Sequence, residues 1–329
     1  MWSYHQTNTN QMRKFYVVAA LLVVAFFQSC QNDKTDAIED AVFYFNNNQF
    51  DKSLKIIAQV LRDNPDDFFA YTVQGRALFA LNQTQQGIEA MNKAIELNPD
   101  YFQAFAYRGT MYQSIGEHQK ALNDIEKALE KDGSNLDLIR IEANLLYSLQ
   151  QNEKAIKRFD KLIALNNEDE ESFVYRAILN KRLGLYEAAL SDFKQAISVN
   201  PNYDFAYEAR ADFYTYTLSQ NFEQAIEDYT KVIDNFSKNI PNQNKAYVYN
   251  NRGFARYQAK DFEGALEDIN ASLQLFPDNA FAFKNRALVY LAFAKTDSMC
   301  ADLTKAKALG YEKKYGQEVN QLLSENCSK

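Results

Sequence analysis

The sequence has few of the residues on which most enzyme active sites depend. It contains 2 histidines and 3 cysteines among 329 residues, and His118 is the one histidine after residue 29. Neither a Cys-x-x-Cys nor a His-Glu-x-x-His motif occurs, and His118 lies in the predicted polar turn "SIGEHQKA", so we expect neither a Ser/His/Asp triad nor a histidine-based metal site. A glycine-rich phosphate loop is absent as well. We therefore expect a protein that is not an enzyme and needs no cofactor or metal.

Positive charge is also scarce. The chain has 36 Lys and Arg residues against 43 Asp and Glu residues, which gives a net charge of −7. The segment from Met1 to Ser29 includes Arg13 and Lys14 and no acid, so its removal takes the net charge from −7 to −9. Proteins that bind nucleic acid neutralise its phosphates with Lys and Arg, so we expect no nucleic-acid partner. With only 10 glycines and 5 prolines, the composition predicts a globular chain or a compact array.

A long hydrophobic run is missing too. The stretch "FYVVAALLVVAFF" has about 13 residues, too few to cross the roughly 30 Å hydrocarbon core of a bilayer comfortably. It follows Arg13 and Lys14, and a basic start before a short apolar stretch is typical of a signal peptide rather than a transmembrane helix. Met12 is the expected start of translation, because it places both basic residues directly after the initiator.

The end of this run resembles a bacterial lipoprotein signal, in which a small residue precedes a cysteine that is lipidated and becomes the mature N-terminus. Here Ser29 precedes Cys30. The resemblance implies a signal peptide over residues 1–29, lipidation at Cys30 and a lipidated linker over residues 30–33. The alternative is an ordinary secretory signal followed by an unrelated cysteine.

The few prolines recur with a fixed period. The sequence numbers of Pro65 and Pro99 differ by 34, and those of Pro99 and Pro201 differ by 102, three times 34. Those of Pro201 and Pro277 differ by 76, which is twice 34 plus 8. Only Pro241 falls off this period. The spacing indicates a chain built from repeats of about 34 residues.

Other positions follow the same period when proline is placed at position 32 of each repeat. Position 8 is alanine or glycine in every repeat, position 4 is aromatic in most, and position 24 is large and apolar or aromatic. Position 20 is small in all repeats but the last, where it is Met299. Small residues at positions 8 and 20 allow two helices to approach, and large residues fill the space between them. The repeats begin at Lys34, Phe68, Phe102, Leu136, Glu170, Asp204, Ala246 and Ala280.

This pattern resembles the tetratricopeptide repeat (TPR), and the resemblance covers essentially the whole chain after residue 33. It implies an all-α fold, a right-handed α-solenoid of about eight hairpins, each made of a helix A and a helix B. Proline ends helix B at each boundary because it cannot continue a helix. A C-terminal cap is predicted over residues 310–329. The repeats are expected at residues 34–67, 68–101, 102–135, 136–169, 170–203, 204–239, 246–279 and 280–309.

Arginine and aspartate vary together at two positions. Position 7 is arginine in five repeats, and each of these has aspartate at position 23. Repeat 4 has the opposite arrangement, Glu142 with Arg158, and repeat 2 has neither charge, Gln74 with Ala90. We predict an ion pair between helix A and helix B of one hairpin; the alternative is a row of arginines that binds an anionic ligand. The five pairs are Arg108 with Asp124, Arg176 with Asp192, Arg210 with Asp228, Arg252 with Asp268, and Arg286 with Asp302.

Two insertions interrupt the period. Two residues are added to the predicted turn "YTLSQNF", near Thr217, and six more, residues 240–245, separate repeats 6 and 7. The second insertion contains Pro241 and is predicted to be a loop. Two interpretations of it remain open: a hinge that divides the first six repeats from the last two, and a tolerated surface insertion.

The C-terminus is predicted to form a cap. Gly310 and Gly316 flank a short turn, and a polar helix with one apolar face, which includes Val319, follows. Cys300 and Cys327 are equally far from this turn along the chain, so they face each other across a helix hairpin. In an exported chain we predict that they form a disulfide; two free thiols are the alternative.

Function is expected to lie on the surface of the array. In TPR proteins, positions 2, 5, 9, 12 and 13 of helix A line a groove that takes extended peptides or partner helices, and the resemblance carries these positions onto this chain. Aromatic and charged side chains together suit peptide binding, because apolar anchors give affinity and charges fix the register. For each aromatic residue the alternative is packing between repeats. The predicted groove residues are Arg76, Phe79, Arg140, Asn144, Tyr147, Lys181, Arg182, Asp212, Tyr216, Asn250 and Tyr257.

The sequence therefore predicts a non-catalytic envelope lipoprotein that acts as a scaffold or adaptor for other envelope proteins or peptides. Its lipid is expected to anchor it in the bacterial cell envelope, at the periplasmic or surface face of the outer membrane. The alternative is a ligand-binding protein that takes peptide or glycan fragments for uptake. A glycan site needs stacked aromatic rings with carboxamides nearby.

Overall fold

The computed structural model describes residues 32–237 and 239–327, and all the regular structure in these residues is helical. The chain divides into two compact units, an N-terminal unit that ends at Arg158 and a C-terminal unit that begins at Phe159. The predicted signal peptide and Cys30 lie outside the described residues. None of the helices in the described part of the chain is long and apolar enough to cross a membrane.

The N-terminal unit consists of helix hairpins packed side by side. In the first three hairpins the two helices contact each other, and helix B contacts helix A of the next hairpin. This is the α-solenoid arrangement, and the predicted all-α fold class is confirmed. The helices are α1 (Asn32–Asn46), α2 (Phe50–Asp63), α3 (Phe68–Ala80), α4 (Thr84–Leu97), α5 (Phe102–Ser114), α6 (His118–Lys131) and α7 (Leu136–Ser148), followed by α8 (Asn152–Leu165), in which the unit ends.

The C-terminal unit continues from α8 with the same alternation of helix A and helix B. Its helix A in repeat 6 is α11 (Asp204–Asp212), which runs directly into a π-helix (Phe213–Leu218). Two short helices close the chain. The other helices are α9 (Glu170–Arg182), α10 (Tyr186–Val199), α12 (Phe222–Asp234), α13 (Asn242–Gln258), α14 (Phe262–Leu275), α15 (Ala280–Ala292), α16 (Thr296–Ala308), α17 (Tyr311–Tyr315) and α18 (Glu318–Asn326).

Short polar side chains start several of the helix A segments. Asp67 accepts hydrogen bonds from the backbone N–H groups of Phe69 and Ala70, at 3.0 and 2.9 Å. Asn135 and Asn279 cap α7 and α15 in the same way. Each cap satisfies N–H groups that have no partner within the first turn of a helix. Each also stands directly before the first residue of a predicted repeat.

The core lies between the helices and follows the positions read from the sequence. Position 24 of every repeat is fully buried, at 0 % exposure. Small residues permit the close approach: a Cβ atom on Gly75 would lie 2.9 Å from the carbonyl oxygen of Gly87, and one on Gly253 would lie 2.7 Å from Cγ1 of Ile269. The position-24 residues are Ile57, Met91, Ile125, Phe159, Phe193, Tyr229, Ile269 and Leu303.

The predicted ion pairs between helix A and helix B are present. Nε and Nη2 of Arg108 donate to the two carboxylate oxygens of Asp124, each at 2.7 Å. The other four arginine–aspartate pairs have the same bidentate geometry, at 2.6 to 2.9 Å. In repeat 4, Nε of Arg158 lies 2.7 Å from a carboxylate oxygen of Glu142. The five arginines are therefore held by carboxylates of their own hairpins and do not form a ligand-binding row.

The same arginines also tie neighbouring repeats together, which the sequence analysis did not predict. Nη1 of Arg108 donates to Asn92 of the preceding repeat at 2.7 Å. In each such bond the acceptor occupies position 25 of the preceding repeat. For Arg210 the residue at that position is Lys194, whose side chain has no hydrogen-bond acceptor, so the equivalent bond cannot form. The equivalent bonds join Arg176 to Asp160 (2.6 Å), Arg252 to Thr230 (3.0 Å) and Arg286 to Asn270 (2.8 Å).

Both inserted segments have a conformation that differs from the one predicted from the sequence. The segment around Thr217 was expected in a turn, but it lies in the π-helix, and the chain turns only afterwards, through left-handed Ser219 and Asn221 (φ 50° and 58°). Residues 240–245 were expected to form a loop, but α13 begins at Asn242, so most of them form the first turn of helix A. Proline suits a helix start, because its fixed φ is compatible with the first turn and its missing N–H is not needed there. The segment lies inside the C-terminal unit.

The C-terminal cap is built around the predicted disulfide, which is confirmed. Cys300 on α16 and Cys327 after α18 are joined, with their Cα atoms 5.8 Å apart. The turn predicted between Gly310 and Gly316 contains the short helix α17. Val319 on α18 is fully buried in a cluster with residues of the last hairpin. The cap therefore covers the apolar end of the C-terminal unit.

Candidate protein-binding surface

The residues predicted to line the groove all lie on the helix A segments, and they fall into two sets, one in each compact unit. The set in the N-terminal unit is Arg76 and Phe79 on α3, with Arg140, Asn144 and Tyr147 on α7. The set in the C-terminal unit is Lys181 and Arg182 on α9, Asp212 on α11, Tyr216 in the π-helix, and Asn250 and Tyr257 on α13.

Arg76 is buried, with 8 % of its surface exposed. Its guanidinium carbon lies over two aromatic rings, 4.4 Å from the centroid of Phe45 on α1 and 4.8 Å from that of Tyr107 on α5. Nε and Nη2 of Arg76 are buried and have no hydrogen-bond partner among the described residues. Neither ring was predicted from the sequence, although Phe45 occupies a groove position, position 12 of repeat 1.

The other groove residues of the N-terminal unit differ in character. Phe79 is partly buried and packs against the buried cluster that contains Met91, which favours packing between repeats; its place in the groove stays a prediction. Arg140, Asn144 and Tyr147 are half-buried. Their spacing of four and three residues places them on one face of α7.

Asp212 is the centre of a hydrogen-bonded network in the C-terminal unit. Its Oδ1 accepts from the hydroxyl of Tyr229 at 2.5 Å and from Nδ2 of Asn251 at 3.3 Å. Oδ1 of Asn251 accepts in turn from the hydroxyl of Tyr216 at 3.1 Å. The π-helix places Tyr216 within reach of α13, and π-helical turns occur frequently at functional sites.

Loss of solvent governs the titration of the groups around this network. Burial raises the pKa of Asp212, while the hydrogen bond from Tyr229 acts in the opposite direction. Burial lowers the pKa of Lys181, against the attraction of Asp212. One turn before Asp212 on α11, burial raises the pKa of Glu208 to about 8, and repulsion from Asp212 and Asp204 adds to the shift.

Asn250 supports the network from within. It is fully buried, and its Nδ2 donates to Asn251 at 3.3 Å. Its Oδ1 accepts from Nδ2 of Asn285 on α15 at 3.0 Å. Asn250 was predicted to face a ligand, but with no exposed surface it positions Asn251 and links α13 to α15.

A row of aromatic rings runs beside the network. The rings of Tyr216 and Phe254 are stacked, with centroids 5.6 Å apart and planes at 6°, and Phe254 is stacked on Tyr257 at 6.1 Å and 22°. Lys284 on α15 follows, with Nζ 5.3 Å from the Phe254 centroid. Nζ of Lys284 also lies 3.0 Å from Oε1 of Glu318 on the capping helix α18. The row therefore extends from repeat 6 to the cap.

The structure joins five of the predicted residues of the C-terminal unit, through hydrogen bonds, stacked rings and the attraction between Lys181 and Asp212. Arg182 is exposed beside them. Phe254 and Lys284 were missed although they occupy groove positions 9 and 5 of their repeats. The repeat pattern could not identify Asn251 and Glu318 as groove residues, because Asn251 is at position 6, which is not a groove position, and Glu318 lies in the cap. The five joined residues are Lys181, Asp212, Tyr216, Asn250 and Tyr257.

Among residues 32–237 and 239–327, no group of three or more His, Cys, Asp and Glu side chains is arranged to hold a metal ion. The surface is therefore described by its charges, carboxamides and rings.

Comparison with known proteins agrees with the repeat pattern. Models of the tetratricopeptide repeat match residues 44–101 and 72–135, residues 176–203 and residues 246–279. Among curated proteins, the STIP1 homolog of Dictyostelium discoideum is 31 % identical over 83 residues, which are 25 % of this chain. The match spans 15 % of the length of that relative.

Solved structures share the fold at low sequence identity. A tetratricopeptide repeat protein from Parabacteroides merdae is 20 % identical, with a TM-score of 0.61 over 78 % of this chain and 98 % of its own. The C-terminal part of a TPR repeat-containing protein from Cytophaga hutchinsonii is 17 % identical, with a TM-score of 0.62 over 75 % of this chain and 98 % of its own. This chain therefore carries tetratricopeptide repeats, recognised in residues 44–135, 176–203 and 246–279, in an all-α solenoid fold.

Proposed function

We propose that this protein is a non-catalytic scaffold of the bacterial cell envelope, and that it binds other proteins or peptides through the helix A faces of its repeats. The observation that carries the proposal is the network of Asp212, Asn251 and Tyr216, held beside Lys181 and the stacked rings that end at Tyr257. The residues at the core positions of the repeats already account for the packing of the hairpins. The hydrogen bonds of Asp212, Asn251 and Tyr216 come in addition to that packing.

Such a surface has what a protein-binding site requires. Aromatic side chains supply apolar contact area at low cost in conformational entropy, and charged groups fix register and exclude wrong partners. Hydrogen bonds hold Tyr216 and Asp212 in place before any partner arrives. Less side-chain freedom is then lost on binding, which favours affinity.

The envelope location rests on the N-terminal sequence and on the disulfide. Two basic residues, a short apolar run and Cys30 together resemble a lipoprotein signal. The bond between Cys300 and Cys327 supports export, because disulfides persist in oxidising compartments and are rare in the cytosol. We propose that lipid on Cys30 anchors the chain in the outer membrane, at its periplasmic or surface face.

A ligand-binding protein for uptake is the second candidate. Stacked rings next to carboxamides were the stated requirement for a glycan site, and Tyr216 and Phe254 beside Asn251 have that combination. These ring faces contact each other, however, so a sugar would have to use an outer face. Calorimetry with oligosaccharides tests the glycan form of this candidate, because a scaffold for proteins would bind none of them.

The main test is capture of a partner from cells. The tagged full chain is crosslinked in the envelope, solubilised and purified, and co-purifying proteins are quantified by mass spectrometry. The test variant carries Lys181→Gln and Arg182→Glu. Its control carries Lys194→Glu, an exposed lysine on helix B.

We expect a near-stoichiometric partner with the wild type and the control, reduced at least about tenfold in the test variant, since about 1.4 kcal/mol of lost binding energy produces that change. Equal capture by both variants would place binding elsewhere. Absence of any partner would favour the ligand-binding candidate.

A further inference from the structure

We propose that a groove in the first hairpin binds a second copy of this chain, so that two copies form an antiparallel dimer through helix α2. The groove lies between α1 and α2, and its volume is about 640 Å³. Its floor is apolar and includes the half-buried side chains of Ile38, Ile56 and Val60. Most of its lining belongs to α2, which is a helix B. The proposed function uses the helix A faces, so this inference goes beyond that function.

The groove is open because the first repeat lacks residues that fill this space in other repeats. Position 4, which is aromatic in most repeats, is Ala37, and Asp40 and Ile56 stand where positions 7 and 23 form an ion pair elsewhere. Repeat 2 has its ring at position 4 but also lacks the ion pair. Its smaller cavity, about 380 Å³, is lined at the same positions 4, 11, 19, 22 and 23. The missing ring and the missing ion pair therefore leave space between the two helices of the first hairpin.

A neighbouring helix B is also missing at this place. In later repeats helix B of the preceding repeat lies beside position 7, since Nη1 of Arg108 on α5 donates to Asn92 on α4 at 2.7 Å. Repeat 1 has no such neighbour among the described residues. In the mature chain that we propose, only Cys30 and Gln31 precede α1, and two residues are too few to cover the groove. With that processing, only another molecule can cover it.

The charges on α2 indicate that this molecule is a second copy. Lys52 and Asp63 both line the groove and are exposed. They lie eleven residues apart, which is about three helical turns, so they occupy one stripe of α2 and are separated by roughly 16 Å along the helix. Lys55 adds positive charge at the end of Lys52. A second α2 in antiparallel orientation places its Asp63 opposite Lys52 and its Lys52 opposite Asp63, which is the self-complementarity that a two-fold interface requires.

The side chains of this stripe are available for such pairs. Oδ2 of Asp63 accepts one hydrogen bond from Nε2 of Gln59, at 2.9 Å, and Nζ of Lys52 lies 5.3 Å from the centroid of the Tyr44 ring. Neither Lys52 nor Asp63 belongs to an ion pair among the described residues. Arg62, the other charge near Asp63, is bound to Gln59, with Nε 3.2 Å from Oε1.

An anionic lipid surface fits the first hairpin less well. Residues 34–67 contain four Lys and Arg against seven Asp and Glu, a net charge of −3, whereas anionic headgroups attract basic segments. A second copy meets Lys52 and Asp63 with charges of opposite sign and covers the apolar floor of both grooves at the same time. Charge then fixes the register of the dimer, and the covered apolar surface supplies affinity.

The test is sedimentation equilibrium of the mature chain, residues 30–329, with Cys30→Ser so that neither lipid nor detergent adds to the mass. One variant carries Lys52→Asp, a second carries Asp63→Lys, and a third carries both. Each substitution places its charge at the end of α2 that the helix dipole favours, so folding is retained. The matched control is Lys120→Asp, because Lys120 is an exposed residue at the same position 19, in repeat 3, and its Nζ also lies over a tyrosine ring.

We expect the wild type and the control to reach twice the mass of one chain as the concentration rises. Each single variant sets like charges opposite each other at both ends of the interface, so its dissociation constant should rise at least about tenfold. The variant with both substitutions, and an equimolar mixture of the two single variants, should associate as the wild type does, because every pair is again of opposite sign. A wild type that stays monomeric, single variants that associate as it does, or the absence of this recovery would overturn the dimer.

A further variant fills the groove itself. Ala37→Phe introduces the ring that most repeats carry at position 4, so the hairpin can accept it while the space for a second α2 is lost. We expect association at least about tenfold weaker than in the wild type. Unchanged association would show that the groove is not the interface. None of these measurements uses an envelope partner, so the dimer and the scaffold function can fail independently of each other.

Discussion

At the scale of single residues, arginine has different surroundings at two positions of the repeat, position 7 for Arg108 and position 9 for Arg76. Arg108 and its counterparts meet an aspartate of the same hairpin, whose side chain is 4 to 9 % exposed. Arg76 meets two aromatic rings instead. The first arrangement joins helices. In the second, Nε and Nη2 of Arg76 are buried and have no hydrogen-bond partner among the described residues.

Breaking one of the ion pairs should destabilise the protein measurably. Arg108→Ala leaves the carboxylate of Asp124 buried without its partner, and we expect the free energy of unfolding to fall by about 2 kcal/mol, between values typical of exposed and buried pairs. Reversing both charges, Arg108→Glu with Asp124→Arg, should recover part of the loss, because Glu142 and Arg158 pair in this orientation in repeat 4. Urea unfolding measures all three variants. If the double variant is no more stable than the single ones, pairing is not the source of the effect.

Glu208 should make stability depend on pH. Its carboxyl has a pKa of about 8 in the folded chain against a usual value of 4.5, so the folded state binds a proton that the unfolded state has lost between these values. The free energy of unfolding should therefore fall as pH rises from about 4.5 to about 8, and Glu208→Gln should remove this component. Urea unfolding at several pH values tests it, with the exposed Glu227→Gln as control. Identical pH slopes for wild type and Glu208→Gln would refute the shift.

At the scale of residues, the sequence predicted the ion pairs between helix A and helix B. It did not predict the contacts of the groove residues. Repeat 2 lacks the ion pair, and the structure has a surface cavity of about 380 Å³ there, lined by Gln74 and Ala90. Covariation identified the pairs because both partners recur at fixed positions. The rings around Arg76 come from two other repeats, and no spacing within one repeat reports on them.

At the scale of elements, the irregular segments position the site. The π-helix follows α11 directly and carries Tyr216 to Asn251 on α13. The two residues inserted near Thr217 are visible in the sequence. The conformation of the segment depends on the residues against which it packs. Thr215 and Tyr214 of this segment are buried, which keeps it helical where a turn was expected.

The capping helix should depend on the disulfide. The bond closes a segment of 27 residues, and restriction of the unfolded chain by such a loop contributes about 3.5 kcal/mol in the chain-entropy model. Reduction should increase amide hydrogen exchange in α17 and α18 and leave α14 unchanged, because only noncovalent contacts then hold the cap, among them buried Val319 and the ion pair of Glu318 with Lys284. Exchange mass spectrometry with and without reductant measures this.

The variant Cys300→Ser with Cys327→Ser is the matched control, since it should show fast exchange in both conditions. Slow exchange in the reduced wild type would mean that packing alone secures the cap.

At the scale of the whole molecule, each compact unit is an array in which a helix contacts mainly its neighbours. Stability in such arrays is a sum of repeat and nearest-neighbour terms. The Nη1 bonds of the position-7 arginines strengthen the neighbour term, since each joins a repeat to the one before it.

Membrane attachment is predicted to depend on one residue. Cys30→Ala should move the protein from the detergent-rich to the aqueous phase of a Triton X-114 separation, because a protein without lipid loses its anchor. Mass spectrometry of the mature wild type should find a lipid-modified N-terminal cysteine. Lys34→Gln, which leaves residues 1–33 unchanged, serves as the control for export. An unmodified Cys30 in the membrane fraction would contradict the lipoprotein assignment.

The sequence by itself determined the all-α fold, the hairpin ion pairs, the buried position 24 and the disulfide, because each depends on spacing within a repeat or a hairpin. Only the tertiary structure decided that Asn250 is buried, that Phe79 packs against the cluster around Met91 and that Arg76 lies against two rings. It also decided that the inserted residues form a π-helix and the start of α13. These outcomes depend on contacts between repeats, and the free energy of such contacts is set by neighbours distant in sequence, which a local period cannot specify.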